Sequence, residues 1–310
     1  MIVPRCKAIP GNAIRFCAAV VTASLVTVVL SAVAWADHGP RLRVFTTVIP
    51  QKYFVERIGG DLVQVDVLVG PGQSPHTYEP TPKQMALLGE ASLFFRAGIP
   101  LENTLISKIT RAYPGLRVVD TRKGVELLTL DDHPGQHGHG KGAPDPHIWL
   151  DPSRVKIQAR TICEALVLAD PPGARVYRGN LAAFQVDLDR LDEELRTIFA
   201  PVGGSKIYVF HPAFGYLADA YGFSQVSVEA GGKEPSARQL AHLVSRARAE
   251  GVRVVFVQPQ FSRKNAQAVA RAIGGVVVPI DPLPEDYIGE MKKMARTIRD
   301  SRSGDHRGGR

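Results

Sequence analysis

Cysteine is scarce in this chain, with three in 310 residues. Cys6 and Cys17 fall in an N-terminal stretch that reads as a removable signal, so Cys163 is alone in the exported chain and an intramolecular disulfide is excluded. Cys163, in a helical-looking stretch at 161–168, reads as a buried apolar thiol without a function of its own. A large excess of one charge is lacking too. Lys and Arg number 38 against 30 Asp and Glu, and three of the bases (Arg5, Lys7, Arg15) precede the first long apolar run. The remainder is too thin an excess, with no basic stripe interleaved with aromatics, to fit a nucleic-acid-binding protein. Apolar runs of membrane-spanning length are also missing after residue 35, which excludes a multi-span membrane protein. What is there, 45% hydrophobic and 22% charged, is ordinary globular composition for one or two domains.

The single long apolar run is N-terminal. Residues 1–15 carry bases and no acid, 16–35 are almost wholly apolar or small, and the run closes on Ala34-Trp35-Ala36, an A-x-A cleavage signature. This predicts a secretory signal peptide over 1–36, cleavage after Ala36 and a periplasmic chain beginning at Asp37, with an uncleaved anchor as the alternative. Ile14-Arg15-Phe16 lacks the small residue that a lipoprotein signal needs before its cysteine, here Cys17.

Short β-branched runs at 43–49, 63–69, 92–96, 117–119, 206–210, 225–228, 253–257 and 275–280 alternate with helical patterns, which predicts an α/β fold. Between the two groups lies 173–202, where Leu181, Phe184, Leu188, Leu191, Leu195 and Ile198 recur at spacings of three and four, one apolar stripe on a long helix. About 25 residues at 1.5 Å each span roughly 38 Å, the width of a domain. Such a helix reads as a rigid connector, with an ordinary surface helix of one domain as the alternative. The segment 131–144, DDHPGQHGHGKGAP, has no large apolar residue and reads as a solvated loop; 299–310 reads as a disordered tail.

Three histidines outside that loop sit where a strand or loop gives way to a helix: His76 in Pro75-His76-Thr77, His147 in Pro146-His147-Ile148 and His211 in Phe210-His211-Pro212. Asp281 holds the equivalent position after 275–280. In open α/β sheets ligands bind outside the carboxyl ends of the strands, so these four can converge on a metal as an N/O set. No C-x2-C or H-E-x-x-H motif is present. A histidine at a strand end also serves as a capping or hydrogen-bonding residue, and Asp281 before Pro282 also starts a turn. Glu79 and Glu234, each before a proline at a helix-like start, read as caps.

PGQSPHTYEPTPKQM (71–85), DPHIWLDP (145–152), FHPAFGYLADAYG (210–222), EPSARQL (234–240), QPQFS (258–262) and DPL (281–283) resemble, in order, the successive motifs of the cluster A-I solute-binding proteins of zinc and manganese ABC importers. The resemblance runs from about residue 43 to 298. It implies two α/β lobes, each a small mostly parallel sheet flanked by helices, joined by one long backbone helix. The expected divisions are an N-terminal lobe over 37–172, the helix over 173–202 and a C-terminal lobe over 203–298. The implied ligands are His76, His147, His211 and Asp281. Histidine at the third position resembles the zinc-preferring branch, and imidazole suits zinc where manganese favours oxygen. Gln258 departs from the glutamate common in relatives.

The implied function is periplasmic capture of Zn2+ by a monomer and its delivery to an ABC permease with a cytoplasmic ATPase, without enzymatic activity. Zinc-type relatives often carry a histidine-rich insertion, so His133, His137 and His139 are expected as a weak secondary site. Rival readings are a manganese or ferrous-iron carrier, a zinc hydrolase using Asp281 as base, and an adhesin. Because neutral imidazole is the ligand, binding is expected to have weakened by pH 5.

Overall fold

The computed structural model describes residues 40–130, 142–229, 236–261 and 263–301. The expected signal peptide and the loop histidines His133, His137 and His139 lie outside the described residues, as do Glu234 and most of the expected tail.

The first half builds a sheet from β1 (Leu42–Val48), β2 (Val63–Val69), β3 (Leu93–Arg96) and β4 (Arg117–Asp120) in the order β2-β1-β3-β4, all parallel. The second half repeats this with β5 (Lys206–Val209), β6 (Ser224–Ser227), β7 (Val254–Val257) and β8 (Val276–Pro279) in the order β6-β5-β7-β8, again all parallel. Parallel neighbours need crossovers, supplied in the first sheet by α1 (Ile49–Gly59), α2 (Pro82–Leu88) and α3 (Leu101–Ala112). In the second they are α6 (Gly215–Tyr221), α7 (Ala237–Ala249) and α8 (Arg263–Ile273). Helices cover the sheets, so strands such as β7, Val-Val-Phe-Val, are buried at every position.

α4 (Pro152–Ala169) closes the first half, and between the halves runs α5 (Ala174–Phe199), a 26-residue helix bounded by short 3-10 turns at Pro171–Gly173 and Ala200–Val202. Phe184, Leu188, Leu191, Leu195 and Ile198 of its stripe are buried, and Leu181 is partly so. The helix is no surface element: it packs on α1 and α4 from the first half, and on α6 and the last helix, α9 (Tyr287–Asp300), from the second. One core runs through both halves, including Phe54, Trp149, Phe184, Phe214 and Tyr287, and the described residues from Arg41 onward form one unit. Tyr287 of α9 meets Phe54 of α1 edge-on at 4.9 Å between ring centres. That contact draws the last of the described helices back to the first. α9 also continues through Asp300, past the expected start of the tail at 299.

Helix starts follow local chemistry, with one change from expectation. At α2 the cap is Thr81, not Glu79: its hydroxyl accepts from the Gln84 amide while Gln84 returns a bond to the Thr81 amide, a capping box. Ser236 and Gln239 repeat the arrangement at α7. Among the described residues no helix is long and apolar enough to cross a membrane.

Candidate metal centre

The carboxyl ends of both sheets face a common cleft, and each chemistry-bearing side chain follows a strand. After β2 the loop 70–81 carries His76, with turns closed by Gln73 on Gly70 and by Thr77 on Ser74. After β5 comes His211, after β6 Glu229, after β7 Gln258, Gln260 and Phe261, and after β8 Asp281. His147 enters from the segment between β4 and α4, just before a 3-10 turn at Ile148–Leu150. The turn seats Trp149, whose indole N–H donates to the Pro282 carbonyl across the cleft at 2.6 Å.

The three imidazoles converge, each offering a nitrogen within 4.8 Å of the others. Nε2 of His76 and Nε2 of His211 are 3.1 Å apart. His147 and His211 are buried and His76 is exposed. Pro75, Ile99, Pro146, Trp149, Phe261 and Leu283 help enclose a cavity of about 20 Å³ between them. That is room for a single ion or water.

The rings are not held alike. His147 is bound twice by Asp145, whose Oδ1 accepts from the His147 amide at 2.9 Å and from Nδ1 at 2.7 Å. His211 Nδ1 donates to Glu229 Oε2 at 3.0 Å. Gln258 grips the His211 backbone from both sides, accepting from its amide at 3.1 Å and donating to its carbonyl at 2.8 Å, and Phe261 stacks on the ring at 4.8 Å. With Nδ1 donating, Nε2 keeps its lone pair for a cation. His76 has its amide directed to Ser74 Oγ at 3.3 Å.

Electrostatics disfavour the protonated forms of His76 and His211. Although the residue stands exposed on its loop, its ring is turned in among its neighbours, and desolvation first, and then His211 and His147, push the His76 pKa down to about 4. Burial also lowers His211, against the upward pull of Glu229. The wall opposite is set by Glu102 of α3, fully buried, which accepts from the Ala97 and Gly98 amides at 2.7 Å each and so shapes the turn that presents Ile99. Gly98 has φ +89°, and a Cβ there would strike Arg122.

Asp281 stands apart from this group. Its Oδ1 accepts from Gln260 Nε2 and from the Leu283 amide, both at 2.9 Å, the turn-starting arrangement an aspartate makes before proline. His242 is exposed on α7. Asp145, Glu229 and the grip of Gln258 escape a reading by sequence. Asp145 lies two residues before His147 and Glu229 directly follows a strand run, which was the available signal. The root of the histidine-rich insertion is pinned beside the centre: Leu130 donates to Ala143, Thr129 and Pro144 form an antiparallel bridge, and Asp145 donates to Leu128.

Residues 44–301 match the family described as zinc-uptake complex component A, periplasmic. The chain belongs to this family. Among its relatives is the high-affinity zinc uptake system protein ZnuA of Bacillus subtilis, 31% identical, with 86% of this chain and 89% of that protein covered. A protein of Treponema pallidum is 30% identical over 87% of this chain and 89% of its own length. A crystal structure of ZnuA superposes with a TM-score of 0.79 at 38% identity, covering 84% of this chain and 99% of that one. A zinc-bound ZnuA variant lacking residues 138–173 of its own numbering gives 0.78 at 39% identity, covering 84% and 98%. These likenesses bear out the two-lobed α/β fold with its long helix.

Proposed function

We propose that this protein is an exported zinc carrier: it captures Zn2+ between its two halves and hands it to an ABC permease driven by a cytoplasmic ATPase. The observation carrying this reading is the convergence of His76, His147 and His211 on a space the size of one ion. The donor chemistry favours zinc, since three imidazoles with at most one carboxylate suit it better than manganese or ferrous iron, which prefer oxygen-rich shells. The family is one of solute-binding transport components rather than enzymes.

In this reading the ion enters past exposed His76 and takes Nε2 of each ring. Asp281 joins as a fourth ligand by exchanging its bond from Gln260 for one to the metal. His133, His137 and His139 form a weak collecting site, and the protein works as a monomer in the periplasm after cleavage behind Ala36. The 37–172 and 203–298 lobes each contribute ligands, with 173–202 as the strut.

Calorimetry on exported, metal-stripped protein without a histidine tag tests this. One tight zinc and weak manganese are expected; preference for manganese or iron moves the chain to the other carrier type, and absence of any tight metal overturns the reading. Asp281→Asn separates carrier from hydrolase, because loss of a ligand weakens zinc binding whereas loss of a base leaves it intact.

A further inference from the structure

We propose that Asp145 and Glu229 are positioning residues that charge the metal centre: each fixes the direction of one imidazole and sets a negative charge behind it that favours a divalent cation in front. This rests on the zinc-capture reading above and extends it to the source of the site's charge.

Both carboxylates are buried, Asp145 at 0% exposure and Glu229 at 5%, and each meets the Nδ1 of a different buried ring, at 2.7 and 3.0 Å. They come from opposite halves of the molecule, Asp145 ahead of α4 and Glu229 behind β6. The two braced rings therefore carry their own anionic partners from both walls of the cleft. A carboxylate on Nδ1 selects the tautomer whose Nε2 lone pair points inward and makes that nitrogen a stronger donor. Each carboxylate sets a negative charge directly behind its ring, so less of the ion's +2 is left for a direct anionic ligand to balance. Asp281, engaged by Gln260 and Leu283, then refines geometry rather than neutralising charge.

Tyr216 locks this arrangement across the cleft. Its hydroxyl donates to the Asp145 carbonyl and accepts from the Leu128 amide, both at 3.0 Å, while Arg154 lies over its ring at 4.7 Å and pairs with Asp151 and Asp219. The position of Asp145, and through it of His147, is thus decided partly by a residue of the opposite half.

The test uses charge-neutral variants that retain an acceptor, Asp145→Asn and Glu229→Gln, in the exported, metal-stripped protein. Binding is compared for zinc or cobalt(II) and for silver(I), a monovalent ion that also takes imidazole nitrogen. Coulomb energy scales with ionic charge, so a loss through charge is half as large for silver on a logarithmic scale. About a hundredfold loss of zinc affinity paired with about a tenfold loss of silver affinity is expected for each variant. Nitrogen-15 shifts of the His147 and His211 rings should stay those of the Nδ1–H tautomer. Equal losses for the two ions, or no loss for either, overturn the charge role. The two variants lie in different halves, so misfolding of one leaves the other to decide. If the unmodified protein fails to bind zinc, the carrier reading falls while the cobalt and silver comparison still decides the braces.

Discussion

His76 Nε2 lies 3.1 Å from His211 Nε2, although 135 residues separate them in the chain. One ring sits on an exposed loop of the first half. The other is stacked and braced at the root of the second sheet. Metal capture therefore couples a lightly held ligand to a firmly held one, and several measurable consequences follow from that inequality.

Acid resistance of binding is the first. Imidazole ordinarily titrates at 6.5, whereas His76 is pushed down to about 4. Its neutral form persists through pH 5, so His76 itself should cost the site little zinc affinity at pH 6 and 5 and much more toward pH 4. The share of the expected acid weakening that comes from His76 is thereby moved to lower pH. Titration calorimetry across pH 4 to 7 checks it.

The same shift acts on the metal-free protein. The unfolded chain binds a proton at His76 near pH 6.5 and the folded chain only near pH 4, so stability is fully present above 6.5 and declines as pH falls through that window. Denaturant midpoints of the apo protein at pH 7, 5.5 and 4 should fall in that order.

His76→Ala and His211→Ala should differ. Removing His76 leaves the braced pair, and weak zinc binding at reduced affinity should survive. Removing His211 takes away a ring held by Glu229, Gln258 and Phe261, strands a buried carboxylate and should abolish tight binding as well as lower the melting temperature. Metal titration and thermal unfolding of both variants decide this.

Phe184→Ala probes the strut. Phe184 on α5 is fully buried against Phe54 and Tyr53, with ring centres at 5.9 and 6.1 Å. Truncation should cost about 3–5 kcal/mol of unfolding free energy, measured by denaturant titration. Zinc present at a hundred times its dissociation constant should restore about 2.7 kcal/mol of that.

Much of this protein was legible in its residues. The β-branched runs and the stripe Leu181 to Ile198 specified strands and the long helix, because burial on both faces of a sheet or one face of a helix dictates period and composition locally. His76, His147 and His211 stood out because each closes a strand or loop at a helix entrance. Asp281 was legible as a residue with two readings, ligand or turn, and only geometry displays the turn bonds to Gln260 and Leu283.

The sequence by itself determined the alternation of elements, the signal-like N-terminus and the three imidazoles, since these depend on local pattern and residue chemistry. Only the tertiary structure decided that α9 returns to α1, that Glu229 braces the His211 ring, and that Tyr216 of one half fixes Asp145 of the other. The reason is physical: hydrogen bonds between residues 18 to 135 positions apart leave no periodic trace in the chain, and arise when two sheets with the same strand order turn their carboxyl ends toward one cleft.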